Sequence, residues 1–260
     1  MSITSRTAWR VAYGSAILAS SLYLGQTARR IAASSKLGIT DENVALPSFI
    51  ESQTIRDYVN PQNRQSRAVD IHTATLDVPL NKDDVSDEAL LAQATKSFFN
   101  GCVFYPEAKA LNLLKLKDSK YSKLASTTVP AHVWDAAELS ETSLPALHTV
   151  LFGVFRLADV CLSKDPSSGT PSHADFLFGS DMTTFAGCHR LSVQRLEVDA
   201  ASETQRVRLQ MQCYACNPQS DKSAGGLLLG FHRLYASMLF RETAGQLHRW
   251  LHPSTSSWWT

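Results

Sequence analysis

The sequence predicts an α+β fold: a curved antiparallel sheet wrapped on a long C-terminal helix, with an apolar helix at the amino end. Strand-like runs rich in Val, Phe, Leu and Thr crowd between Ala131 and Asn217, separated by polar turns. A first strand and two short helical patterns precede them. The last long periodic segment, Leu227 to Leu251, is amphipathic at helical spacing.

Composition bounds the class. A chain of 260 residues, 44% hydrophobic and 19% charged, is large enough to bury a substantial core. A formal net charge of +1 supplies no overall field to recruit a polyanion, so nucleic acid is not an expected partner. The 5 cysteines (Cys102, Cys161, Cys188, Cys213 and Cys216) are odd in number and scattered, which fits free thiols in a reducing compartment.

Residues 1–40 read as a membrane anchor or targeting segment. Arg6, Arg10, Arg29, Arg30 and Lys36 precede the first acidic residue, Asp41. Between the arginines runs the apolar stretch Val11–Gly25, diluted by Gly14 and serines. It falls short of the roughly 20 residues of a comfortable span. A tilted anchor would snorkel Arg10. The acid-free, Arg- and Ser-rich composition also fits a mitochondrial presequence, and a secretory signal or a helix packed on the domain are further readings. The expected location is therefore at a membrane, mitochondrial or endomembrane.

Residues 41–67 read as a linker, because Pro47, Asn60-Pro61 and the run QNRQSR interrupt any period. The domain proper is expected over 68–252, with a tail at 253–260. It opens with a strand, AVDIHTATLDVPL, closed by Pro79 and NKDD. Asp87 is a candidate N-cap for a helix whose apolar face is Leu90, Leu91, Ala94 and Phe98, ending at Asn100-Gly101. A second helix starts at Pro106 and carries Leu111, Leu114 and Leu116. The run KDSKYSK after it reads as a solvated turn.

Strands are expected in HVWDAAEL, ALHTVLFGVFRLADVCL, HADFLF, GCHRLSVQRLEV and RVRLQMQCY. His148 to Leu157 is apolar on both faces, which predicts a central strand. Arg206, Arg208, Gln210 and Gln212 alternate with Val207, Leu209, Met211 and Cys213, a strand half-buried with its arginines outward. The helix Leu227–Leu251 presents Leu228, Phe231, Leu234, Tyr235, Met238, Leu239, Leu247 and Trp250, and its second half is too polar to span a membrane. Trp250, Trp258 and Trp259 suit either an interfacial end or a docked tail.

The order strand, two helices, antiparallel strands, long helix is similar to that of the START-like (SRPBCC, helix-grip) superfamily. Phe178-Gly179, followed by Ala186-Gly187-x-x-Arg190-x-Ser192-Val193, resembles within it a plant and bacterial family of unknown function. The likeness covers roughly the last third of the chain. Leu191 stands where that family carries an aromatic residue, and the spacing between the glycines differs. The superfamily resemblance implies a hydrophobic cavity for lipids, polyketides or quinones. Strand alternation would line it with Phe155, Phe176, Phe178, His189, Leu191, Val193, Leu209 and Met211.

Candidate chemistry is sparse. His173, Asp175, His189 and Arg190 lie on two strands expected to pair, and a histidine beside a carboxylate is raw material for acid–base work. His189 shares the inward face of Leu191 and Val193, so His189 and Asp175 are the catalytic candidates; the plainer account is a core histidine with polar residues flanking a turn. Arg156 is expected to pair with Asp159 or Asp175 at the sheet margin. Cys213-x-x-Cys216 stands alone in a strand, where residues three apart point to opposite faces, so no metal or redox use is expected of it. There is no phosphate-cradling glycine loop, G-x-S-x-G elbow or H-E-x-x-H. No cofactor or metal is expected.

Two functions remain open. One is a membrane-associated module binding a hydrophobic small molecule. The other is a biosynthetic cyclase, dehydratase or isomerase using the same cavity, with His189 as base. Convergence of His189 with Asp175, Arg156 or Tyr214 inside the cavity favours the enzyme; an apolar lining favours binding.

Overall fold

The computed structural model describes residues 20–32, 34–80, 85–115, 120–165, 168–222 and 226–253. Its centre is a mixed sheet of 8 strands in the order β1-β2-β8-β7-β6-β5-β4-β3. The strands are β1 Thr40–Glu42, β2 Arg67–Pro79, β3 His132–Val133, β4 Val150–Leu151, β5 Phe155–Cys161, β6 Ser172–Gly179, β7 Ala186–Asp199 and β8 Thr204–Cys216. Five helices accompany them: α1 (residues 20–32), α2 Pro47–Ile50, α3 Asp87–Phe99, α4 Tyr105–Leu114 and α5 Gly226–Leu251. The fold is thus α+β with a curved sheet and a long C-terminal helix.

The sheet is mixed because β3 and β4 run parallel; every other neighbouring pair is antiparallel. His148 to Leu157 is not one central strand. Phe152 and Gly153 both take positive φ (50° and 76°), turning the chain so that β4 folds back on β5. HVWDAAEL is strand only at His132–Val133, because Asp135 accepts from Ala137 N–H and caps a short helical turn over Ala136–Glu138.

Helix α3 starts one residue earlier than Asp87 capping would place it. The Ser86 hydroxyl accepts the Ala89 N–H at 3.1 Å. Asp87 is freed to join the sheet, accepting from Ser172 at 2.6 Å and from Arg195 at 2.7 Å. Helix α3 then lies over β6 and β7 while α5 lies over β2, and the two helices pack side by side. Between helices and sheet sits the main core, where Phe98, Phe99, Phe104, Phe152, Phe155 and Phe176 are in mutual ring contact at 4.9–6.1 Å. Each such ring contributes roughly 1.5–3 kcal/mol by burial.

Phe231 and Leu234 on α5, expected in the apolar face, are exposed; the buried stripe is Ala236, Leu239, Phe240, Ala244, Leu247 and Leu251. The buried Glu242 carboxylate on the same helix accepts the backbone N–H groups of Cys102 at 2.8 Å and Val103 at 2.7 Å, and pairs with Arg30 of α1 at 3.3 Å. On α4, Leu111 is buried but Leu114 is exposed.

The other face of the sheet is covered too. Residues 41–67 do not trail as a linker: β1 pairs with β2, and Phe49, Ile55 and Val59 are buried against Leu177, Cys188 and Tyr214. Ile55–Val59 form a π-helical turn. The run KDSKYSK is likewise more than a solvated turn, since Tyr121 is buried and donates to the Phe178 carbonyl at 2.6 Å.

Among the described residues no helix is long and apolar enough to cross a membrane. Helix α1 holds the end of the Val11–Gly25 segment and is held on the domain by Tyr23, which donates to the Cys102 carbonyl. Residues 1–19, Leu116, Trp258 and Trp259 lie outside the described residues, and so does most of the expected anchor.

The Phe178-Gly179 and Ala186-Gly187 pairs sit at the closed end of the β6–β7 hairpin. Gly179 has φ +74°, and a Cβ there would lie 2.4 Å from the Phe185 carbonyl oxygen. At Gly187 a Cβ would meet the Phe178 ring at 2.2 Å and the Tyr214 carbonyl oxygen at 2.8 Å. Gly187→Ala is predicted to destabilise the fold by about 1–3 kcal/mol, because backbone as well as a buried ring must move. Chemical denaturation checks this; an unchanged midpoint would remove close packing as the reason for the glycine.

Candidate functional site

The sequence candidates divide between the two faces of the sheet. Phe155, Phe176, Phe178, His189, Leu191, Val193, Leu209 and Met211 are all buried. The apolar ones belong to the inner core under α3 and α5, and His189 sits among them with its ring 4.6 Å from Phe178 and 5.9 Å from Phe98.

Asp175 is on the outer face, as period-2 alternation from Ala174 and Phe176 requires. It is buried and receives a bidentate pair from Arg190 at 2.6 and 2.7 Å, with the guanidinium lying over the Phe49 ring at 4.8 Å. Asp175 and His189 therefore do not converge. Tyr214 is also outer, accepting from the Asn60 side chain at 2.8 Å. Arg156 does not pair with Asp159 or Asp175: it donates to the carbonyls of Leu124 at 3.4 Å and Thr127 at 3.3 Å, tying that loop to the sheet. His173 instead contacts Asp159 at 3.2 Å, which holds the Asp159 carboxyl below its ordinary range.

His189 is a poor base. Burial first, and then neighbouring His232, push its pKa down to about 3. Its Nδ1 is buried and has no hydrogen-bond partner.

What surrounds His189 is a polar cluster on the inner face. The register sets Asp70 of β2 opposite Cys213 of β8, and Cys213 opposite His189 of β7. These side chains form a row across three strands. Helix α5 adds His232, whose Nε2 lies 3.2 Å from Cys213 Sγ and whose ring is parallel to that of His189, 6.2 Å away. Burial, with Asp70 adding to it, drives the Cys213 thiol well above its ordinary pKa, so it is a neutral thiol here. Burial depresses His232, partly opposed by Asp70.

His72 lies two residues along β2 and faces the same way. Its Nδ1 contacts Asp41 at 2.6 Å and its Nε2 contacts Asp70 at 3.1 Å. Burial alone would lower its pKa, but the two carboxylates overrule it and raise the value, favouring the imidazolium with both nitrogens donating. Asp41 of β1 also accepts from Arg241 and Ser237 of α5. Burial works against its charge, yet the bonds from His72 and Arg241 hold it below the carboxylate range. A hydrogen-bonded relay therefore runs Arg241–Asp41–His72–Asp70 from the helix surface to the cluster.

Of these groups the sequence reading reached only His189 and the Cys213-x-x-Cys216 pair. Cys213 and Cys216 do fall on opposite faces, Cys213 with the inner core and Cys216 with the outer. The overlooked signal is in β2: Asp70 and His72 share alternation with Ala74, Leu76 and Val78, which puts charge on a buried face.

A separate surface cleft of about 430 Å³ lies at the far end of β2 and is lined by Val78, Leu80, Val85, Arg195 and Gln205. Its charged group, Arg195, is already committed to Asp87, Gln205 and the Val85 carbonyl.

No protein-family model, curated protein or solved structure matches this chain. The assignment of function rests on the site itself.

The outer pair has a structural role that is directly testable. Asp175→Ala leaves a buried guanidinium unpaired and is predicted to cost about 3–5 kcal/mol of stability, whereas Asp175→Leu combined with Arg190→Met recovers most of it. Urea unfolding of the two variants decides; a single variant as stable as the parent refutes the role.

Proposed function

We propose that the protein is a membrane-associated module of the START-like, helix-grip type that takes up an apolar small molecule of the lipid, quinone or polyketide class between sheet and helices. One observation carries this reading: a continuous run of aromatic rings in contact joins the surface to the core. Phe185, 46% exposed at the β6–β7 turn, contacts Phe178 at 5.6 Å. Phe178 contacts Phe155 at 6.3 Å, and Phe155 reaches Phe99 and Phe104. An apolar ligand inserting at Phe185 by displacing these packed rings would meet flat, polarisable faces, with His189 and the polar cluster at one side to orient a polar head.

Binding is preferred to catalysis because Asp175, Arg156 and Tyr214 lie on the opposite face from His189. Association with a membrane is supported by exposed apolar side chains on three helices: Leu22 and Leu24 on α1, Tyr105 on α4, and Phe231 and Leu234 on α5. Tyr23 and Tyr105 lie 6.3 Å apart, joining the α1 and α4 parts, while Tyr235 links α5 to Glu107 of α4 at 2.6 Å.

Two measurements follow. With cis-parinaric acid as probe, the protein is expected to bind and enhance its fluorescence, and Phe185→Asp at the exposed mouth is expected to weaken binding at least about fivefold, the scale of one lost apolar contact. Absence of probe binding, together with no copurifying apolar molecule by native mass spectrometry, would sink the reading. In flotation with phosphatidylcholine–phosphatidylserine vesicles the protein is expected to rise with lipid, and Phe231→Asp with Leu234→Asp to reduce that fraction; equal flotation of both forms would remove this patch from membrane contact.

A further inference from the structure

We propose that Asp70, Cys213 and His232 form a binding site for a zinc(II)-class metal ion, built between the sheet and the C-terminal helix. One donor atom from each lies within 4.8 Å of the others. The Cys213 Sγ to His232 Nε2 distance is 3.2 Å. Donors about 2.3 Å (sulfur) and 2.1 Å (nitrogen) from a tetrahedral ion lie roughly 3.5 Å apart, so the ion needs only a small outward adjustment. Thiolate, imidazole and carboxylate together suit an ion of borderline softness rather than magnesium or calcium.

An independent observation points to a cation. Asp70 is 2% exposed, and its Oδ1 is held by His72 while Oδ2 is buried with no hydrogen-bond partner. A buried carboxylate oxygen left unpaired is costly unless something positive meets it. His72, fixed in turn by Asp41, orients Asp70 in the manner of an outer-shell partner. His189, 8% exposed and with Nδ1 likewise unpartnered, stands opposite Cys213 in the register, its ring 6.2 Å from that of His232.

On binding, the Cys213 S–H bond breaks, its proton passes to solvent, and the sulfur electron pair forms the metal–sulfur bond. The resulting thiolate and the Asp70 carboxylate balance a divalent ion, with His232 binding as neutral imidazole. The other triad, Asp159, His173 and Asp175, lacks this freedom because both oxygens of Asp175 are taken by Arg190.

The test uses the full chain with thiols kept reduced, stripped by chelator and titrated with cobalt(II), then with zinc(II) in competition. One equivalent of cobalt is expected to give the intense near-ultraviolet thiolate charge-transfer band and tetrahedral visible bands, both displaced by zinc. Cys213→Ser should abolish the charge-transfer band. His232→Gln, at a half-buried helix position, should keep the native circular dichroism and weaken zinc binding about 100-fold or more, since even outer-shell changes cost 10–100-fold. Cys161→Ser, at an exposed thiol, should change nothing. No thiolate band in the parent protein, or a band that survives both Cys213→Ser and His232→Gln, overturns the site.

Discussion

The inner layer of this protein depends on one buried carboxylate. Glu242 takes the N–H groups of Cys102 and Val103, at the turn joining α3 to α4, and reaches Arg30 of α1 as well. Three helices are thereby referred to a single point on the fourth. Each buried N–H left without an acceptor would cost about 1–3 kcal/mol, so the turn has no competitive alternative seat. Gly101 belongs to the same arrangement: a Cβ there would stand 2.5 Å from the Glu242 carboxylate oxygen. The glycine that stops α3 is also the space into which the carboxylate fits. With the turn fixed, α3 and α5 lie side by side over the sheet, and Cys213, His189 and His232 are brought within reach of each other.

The sheet separates its buried charges by face. Outside, Asp175 and Arg190 satisfy one another bidentately, and Phe49 closes over the guanidinium. Inside, beside His189, polar groups are arranged as a relay rather than a closed pair, and its innermost member keeps a carboxylate oxygen unpaired. The first arrangement is self-contained and rigid. The second is incomplete in a way that gives binding a thermodynamic incentive, because a ligand that meets the unpaired oxygen recovers desolvation already incurred on folding. A buried polar atom without a partner is uncommon in a native fold, and a bound ion is one thing that satisfies it.

Much of this architecture was legible in the chain. Strands β2, β6, β7 and β8 announce themselves by alternation over 8 to 14 residues, and α3, α4 and α5 by apolar spacing closed with Asn100-Gly101 or opened by Pro106. The failures share a physical cause. Phe49, Ile55 and Val59 cover the outer face from a four-residue helix and a π-turn, too short to establish any period. The break between β4 and β5 needs a positive φ at Phe152 as well as at Gly153, and only the glycine gives a turn signal. The polar cluster joins β1, β2, β7, β8 and α5, so its members are distant along the chain and only pairing register reveals them. His189 was found because its own strand shows which way it faces. Asp70 and His72 could have been found by the same rule, as charges standing where β2 turns its apolar side.

The two outermost strands are short: β1 has 3 residues and β3 has 2. A sheet edge is a row of unpaired N–H and C=O groups onto which another chain can add, and long flat edges are templates for aggregation. Among the described residues β8 is paired from Thr204 to Cys216 on both sides, by β2 and β7, whereas β1 covers only Ile71–Thr73 of β2. Asp41 and Glu42 further charge the first margin. The strand that lies at the middle of the long three, β8, is the one whose backbone is closed on both sides to a foreign chain.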